Sequence, residues 1–259
     1  MVGLDLQTAA EGITEALANS PPAPPEADVS DRELALLCYT SGTTGRPKGA
    51  RISHGNLAFT VKALHAAWRW TEDDVLLHAL PIFHIHGLIV AQHGALYAGA
   101  TAVWMDVFRA DAALRTLASQ RVTLFMGVPT LYARLLQLPP DVEVDLSAMR
   151  LFTSGSAPLP AAHHALFQAR FGHVILERYG MTEVGIVLSN PYAGPRRPGT
   201  VGLPLAGVSV RIVDRATGEA CAEGGVGELW IQGAGVIDGY LGLPEATAKA
   251  LSGGWMRSG

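Results

Sequence analysis

The sequence predicts an α/β fold, a mostly parallel sheet flanked by helices with a smaller β-rich subdomain after it, and three observations carry that expectation. From Glu33 onward, short β-rich runs alternate with amphipathic helical runs, the pattern of parallel strands joined by crossover helices. After about Pro195 the texture changes to glycine-punctuated strands joined by turn sequences such as 214–219. Ahead of both, residues 19–31 read NSPPAPPEADVSD, a proline-rich, acidic stretch that resists helix and sheet and reads as a linker or surface loop. The expected organisation is therefore an irregular 1–32, an α/β region over 33–194, and a β-rich subdomain over 195–259.

Taken in order, the candidate strands lie at 34–39, 75–79, 102–105, 122–126, 151–153 and 174–177, and the candidate helices at 55–68, 87–97, 110–120, 129–138 and 160–171. Ser53 and Asp111 can cap a helix by accepting from its unpartnered first N–H groups, and Pro129 suits a first helical position because it has no N–H to leave unpaired. In the β-rich part the strands fall at 208–213 and 227–232. A last helix at 244–251 precedes a glycine-containing end with no closing structural signal, so the subdomain is expected to be truncated there.

Composition narrows the function. At 49% hydrophobic and 16% charged over 259 residues, the chain can bury a sizeable core. Its 19 basic residues against 23 acids give a net charge of −4, which argues against a nucleic-acid footprint or an anionic-membrane patch and leaves small molecules as the expected partners. Two cysteines, Cys38 and Cys221, do not make a disulfide scaffold, and no run reaches the roughly 18 apolar residues of a membrane span. A start without signal-peptide character adds to the expectation of a cytoplasmic protein.

The segment 39–49, YTSGTTGRPKG, concentrates what phosphate binding needs. Gly42, Gly45 and Gly49 let backbone N–H groups turn toward anionic oxygens; Ser41, Thr43 and Thr44 add hydroxyl donors, and Lys48 supplies a point charge. It is not a Walker loop, since Lys48 follows Pro47 and precedes Gly49 where that motif has Ser or Thr. The alternative is a flexible surface loop. His84 and His86, spaced i and i+2, read as a metal pair or as satisfied packing residues, and no third ligand lies nearby in sequence. TSGSAPLP at 153–160 lacks the glycine that a nucleophile elbow needs two residues after its serine.

With these residues in view, the chain resembles the adenylate-forming superfamily of acyl-CoA synthetases, luciferases and nonribosomal peptide adenylation domains. LPIFHIHG at 80–87, TSGSAPLP, ERYGMTE at 177–183, GTVG at 199–202, GEL at 227–229 and GWMRSG at 254–259 are similar to its motifs, in its order. The resemblance implies ATP-dependent activation of a carboxylic acid to an acyl-adenylate and then an acyl-CoA, with ATP, Mg2+ and coenzyme A as co-reactants. It implies nucleotide contacts from Thr40, Ser41, Gly42, Thr43, Thr44, Gly45 and Lys48, and from Gly155, Ser156, Ala157, Glu177, Arg178, Tyr179, Gly180, Met181 and Thr182. Lys48, His84, Thr182 and Glu183 would act in catalysis, Glu183 as the metal ligand. Read alone, Glu183 is a solvated acid and Tyr179 a core residue.

Among members, the combination of motifs is most similar to malonyl-CoA synthetases, which implies malonate or methylmalonate as the acid. In that subgroup Arg134 would pair with the acid's distal carboxylate, for which a guanidinium is geometrically suited, and His84, Ser156 and Met181 would line the acid pocket. Alternatives are another short or aromatic acid, or a nucleotide- or acyl-binding remnant, because the family continues into a C-terminal domain absent after Gly259.

Overall fold

The computed structural model describes residues 27–40, 47–140, 142 and 144–259. Most of the expected linker, and the phosphate-loop residues Ser41, Gly42, Thr43, Thr44 and Gly45, lie outside the described residues. Strand β1 (Leu34–Thr40) runs back antiparallel onto β2 (Lys48–Ser53), with Thr40 opposite Lys48, as a two-stranded ribbon. The sequence placed β1 in the parallel alternation and a loop followed by a helix after it. A parallel partner needs a crossover of about a dozen residues or more, and here too few separate the strands.

Ser53 ends the ribbon and starts α1 (His54–Trp68) through a reciprocal cap. Its Oγ accepts from the Asn56 N–H at 3.1 Å and its own N–H donates to Asn56 Oδ1 at 3.0 Å. Strand β3 (Val75–His78) leads by a loop to a π-helix (His86–His93), which continues as α2 (Gly94–Ala98). The sequence predicted one α-helix there; the wider turn is a rare form, frequent at functional sites. Then follow β4 (Thr101–Trp104), α3 (Ala110–Ser119), β5 (Leu124–Gly127), α4 (Pro129–Leu136), β6 (Leu151–Ser154), α5 (Ala161–Phe171) and β7 (Leu176–Met181). Asp111 does not cap α3. It sits in the first turn, 2.9 Å from Arg115, and the cap position is Arg109 with no side-chain bond.

Strands β4-β3-β5-β6-β7 are hydrogen-bonded in that order, each pair parallel. Strands β8 (Gly185–Ser189) and β9 (Leu203–Pro204) extend the sheet antiparallel. Every residue of β5, β6 and β8 is buried, as expected of strands covered on both faces. Phe125 and Phe152 of the sheet meet Tyr132 of α4 and Phe167 of α5 edge-on, at ring separations of 5.9 and 5.0 Å. Each such side chain contributes about 1.5–3 kcal/mol by leaving water. Arg150 clamps the base of the sheet, donating two bonds to the buried Asp74 carboxylate at 2.6 and 2.5 Å.

The end of the chain forms a second, antiparallel sheet in the order β10-β11-β13-β12, from β10 (Val208–Val213), β11 (Glu228–Gly233), β12 (Leu251–Ser252) and β13 (Trp255–Arg257), with α6 (Pro244–Ala250) between. Ile231 and Met256 of this sheet join Ala50 and Ile52 of β2, Val61 of α1 and Tyr240 in one buried cluster. The terminal sheet is thereby fixed beside Lys48. No helix among the described residues is long and apolar enough to cross a membrane.

Candidate active site

Parallel strands all point their carboxyl ends one way, and in sheets of this kind ligands bind in the crevice beyond those ends. Here the ends of β3, β5, β6 and β7 deliver four loops to one place. The β3 loop brings Leu80–Gly87, β5 leads through Val128 into α4, β6 leads into Gly155–Pro158, and β7 carries Glu177–Met181.

Two cavities open there. The first, about 250 Å³, is mostly apolar and lined by Ala79, Leu80, Phe83, His84, His86, Val128, Leu131 and Ser156 among others. The second, about 330 Å³, is lined by Ser154, Ser156, Ala157, Pro158, Glu177, Arg178, Tyr179, Gly180, Gly199 and Val201. Ser156 is common to both, so it stands in the wall between them. Its backbone is left-handed, φ 66°, an unusual conformation for a residue with a Cβ and one that clusters at functional sites. A larger groove of about 810 Å³, lined by Pro140, Val142, Asp145, Arg170 and His173 among others, contains none of the expected site residues.

Arg178 is the unusual charge of the site. Its side chain is buried, yet Nε and Nη2 have no hydrogen-bond partner among the described residues. Burial lowers its pKa from 12.5 to about 10, which leaves it cationic at neutral pH. The guanidinium lies against Gly155, where a Cβ would come within 2.4 Å of Arg178 Cζ and is thereby excluded. The histidines adjust to this cation. Burial first, and then the Arg178 charge, hold His84 below 6.5 and His86 well below it. His86 places Nδ1 3.3 Å from Ser156 Oγ, and its N–H donates to His84 Nδ1 at 3.1 Å. No group of three metal-ligating side chains occurs among the described residues.

Glu177, expected at the nucleotide, accepts from the Gly199 N–H at 2.9 Å and so ties β7 to the 199–202 turn. Tyr179 and Gly180 line the second cavity; Met181 ends β7, and Thr182 and Glu183 lie in the turn to β8. Glu183 is buried, and its Oε1 accepts from Tyr240 Oη at 2.9 Å. Lys48, at the start of β2, holds Nζ over the same Tyr240 ring, 5.1 Å from its centre. Thr40 pairs with Lys48 across the ribbon. Arg134 is not in either cavity wall. It is exposed on α4, one turn beyond Leu131, which does line the first cavity.

Sequence reasoning missed Tyr240 altogether and gave His86 no defined place. Both lacked a local signal: Tyr240 lies 192 residues after Lys48, by 240 − 48, and meets it only through the terminal sheet.

The AMP-binding enzyme family matches residues 2–241. The mitochondrial malonate–CoA ligases of Mus musculus and Homo sapiens are each 40% identical over 87% of this chain and 44% and 45% of their own length. ATP-bound MatB from Rhodopseudomonas palustris superposes with a TM-score of 0.90 at 45% identity, over 95% of this chain and 49% of that one. A malonyl-CoA ligase in ternary complex with methylmalonyl-CoA and AMP gives 0.83 at 41% identity, over 91% of this chain and 51% of its own. The chain thus spans about half the length of the relatives it matches. With two cavities meeting at Ser156 and the family's sequence running through their walls, the chain belongs to the AMP-binding enzymes.

Proposed function

We propose that this chain carries the ATP- and acid-binding region of an acid–CoA ligase that activates malonate or its methyl-substituted relative. The observation that carries the choice of acid is Arg178, a buried guanidinium with two unpartnered nitrogens, which lines the second cavity with Ser156 and whose charge reaches His84 and His86 of the first. A monocarboxylate would leave that cation uncompensated; a dicarboxylate presents one carboxylate to react and a second to pair with it. Arg134, exposed one turn beyond Leu131 and without an ion-pair partner among the described residues, is the second candidate for that carboxylate.

The acid occupies the first cavity and the adenine end of ATP the second, so the reacting carboxylate and the α-phosphate meet at Ser156. A carboxylate oxygen attacks the α-phosphorus, the bond to the bridging oxygen breaks, and pyrophosphate leaves. Coenzyme A sulfur then attacks the acyl carbon and AMP leaves. Both steps bring anions together, so preorganised cations and dipoles are the catalytic means. Lys48 supplies one charge, and Thr182 and Gly155–Ala157 supply hydrogen-bond donors, while neutral His84 and His86 shape the acid's pocket. Tyr179 stacks on adenine, and Glu177, Arg178, Gly180 and Met181 complete the walls. The buried Glu183 carboxylate, with no ion-pair partner among the described residues, is a hard oxygen donor that fits a magnesium ion. When bound, that ion supplies positive charge against the triphosphate.

The test is malonate-dependent exchange of pyrophosphate into ATP by the full-length gene product, against propionate at equal concentration. Exchange much faster with malonate is expected. Equal exchange with both acids, or none with malonate, overturns the assignment.

A further inference from the structure

Two groups that the proposed function assigns to the triphosphate end of ATP are held by one side chain that it does not use. Tyr240 donates its hydroxyl hydrogen to Glu183 Oε1 at 2.9 Å, and the face of its ring carries Lys48 Nζ at 5.1 Å from the centre. The ring is 7% exposed, so both contacts are made largely out of water, where a hydrogen bond to a carboxylate and a cation over a π-face are strongest.

The backbone around Tyr240 is fixed on both sides. Leu241 N–H donates to Gly49 O at 2.8 Å, and Arg51 N–H donates to Gly239 O at 3.1 Å, so the residue is bridged onto the strand that carries Lys48. Its own N–H donates to Thr247 Oγ1 at 2.9 Å, and Ile237 N–H donates to Glu183 O at 2.9 Å, closing the other end. Ring and hydroxyl therefore have little freedom. We propose that Tyr240 is a positioning residue: its hydroxyl occupies one oxygen of Glu183 and orients the other toward a divalent cation, while its ring sets the height at which Lys48 meets phosphate. The two contacts use different parts of one side chain, so they separate by substitution.

The inference rests on the proposed nucleotide site, and its test distinguishes the two. Calorimetry on the full-length protein measures the affinity for ATP alone and for ATP with Mg2+, and the ratio of the two is the gain from the metal. Tyr240→Phe keeps the ring and removes the hydroxyl: affinity for ATP alone stays within about twofold, and the Mg2+ gain falls about 5- to 20-fold. Tyr240→Leu removes both and also weakens ATP alone by about 3- to 10-fold. An unchanged Mg2+ gain in Tyr240→Phe, or a loss of ATP alone equal to that in Tyr240→Leu, overturns the inference while leaving the nucleotide site standing. No binding of ATP by the unaltered protein overturns both. Should Tyr240→Phe unfold because Glu183 is left buried without its partner, Glu183→Gln and the double variant Tyr240→Phe/Glu183→Gln carry the test without that charge. The double variant should match Glu183→Gln in Mg2+ gain; a further loss of that gain shows that Tyr240 does not act through Glu183.

Discussion

Replacing Arg178 with methionine should make the protein more stable and less able to use malonate, and the opposite signs are the diagnostic feature. The side chain is buried, and its pKa lies at about 10 in place of 12.5. That depression corresponds to roughly 3 kcal/mol of unfavourable desolvation for the charged form. Methionine fills a similar length without a charge, and removal of an unsatisfied buried ion of this kind is worth about 1–3 kcal/mol to the fold. For a chain of this size that is a rise in Tm of roughly 3–10 °C, read by calorimetry or circular dichroism. In catalysis the variant loses a charge-assisted hydrogen bond to the acid, about 1.5–3 kcal/mol, or a 10- to 150-fold fall in kcat/KM for malonate. The value for propionate should hold or rise. A fall in Tm would mean that the guanidinium is held by partners within the fold. An equal loss on malonate and propionate would remove it from acid recognition.

Arg134→Ala, at an exposed site, should raise the malonate KM by about 2- to 5-fold and leave propionate unchanged; an equal effect on both acids removes it from the substrate's path. Asp74→Asn breaks a buried pair in which Arg150 donates twice at 2.6 and 2.5 Å, and should cost about 3–5 kcal/mol in urea unfolding, with a cost below about 1 kcal/mol refuting the clamp. His86 gives a pH dependence. Its folded pKa is depressed by burial and then by Arg178, so the unfolded chain takes up a proton below about 6.5 that the folded chain refuses. The stability it contributes is whole above 6.5 and drains away as pH falls toward the lower folded value, by up to about 1.4 kcal/mol per pH unit. His86→Gln should flatten the urea midpoint between pH 7 and 5.5 relative to the unaltered protein, and identical slopes would show that His86 titrates normally.

The sequence made legible what is encoded locally. Strand and helix positions in the parallel part follow hydrophobic period, and Ser53 and Pro129 mark helix starts because capping acts over three or four residues. The β1–β2 ribbon was misplaced for a related reason: KGARIS has little apolar alternation, and its strand character comes from pairing with 34–40. The π-helix was read as an α-helix because a one-residue change in turn leaves no compositional mark. In the candidate site, residues of three motif strings, 80–87, 153–160 and 177–183, line the two cavities, but burial separates residues that composition could not. Arg134 and Arg178 are both single arginines in apolar surroundings; only the packing of β7 against Gly155 makes Arg178 the interior cation.

That difference bears on selectivity. A surface arginine offered to a carboxylate gains little, because water already satisfies both groups, and an acid without the second carboxylate loses little by not meeting it. A buried arginine lacking partners reverses the comparison, since every acid that enters the neighbouring cavity either answers the charge or leaves it desolvated and alone. The neutral His84 and His86 sharpen this, because protonation of either would add a second positive charge beside Arg178 and draw in anions of any kind. Discrimination for a dicarboxylate should therefore be greatest where both imidazoles are neutral. Because both imidazoles are held neutral below the ordinary histidine range, the ratio of malonate to propionate kcat/KM should stay constant as pH is lowered from 8 to 6.5, and a fall over that window would show that an imidazole beside Arg178 takes up a proton there.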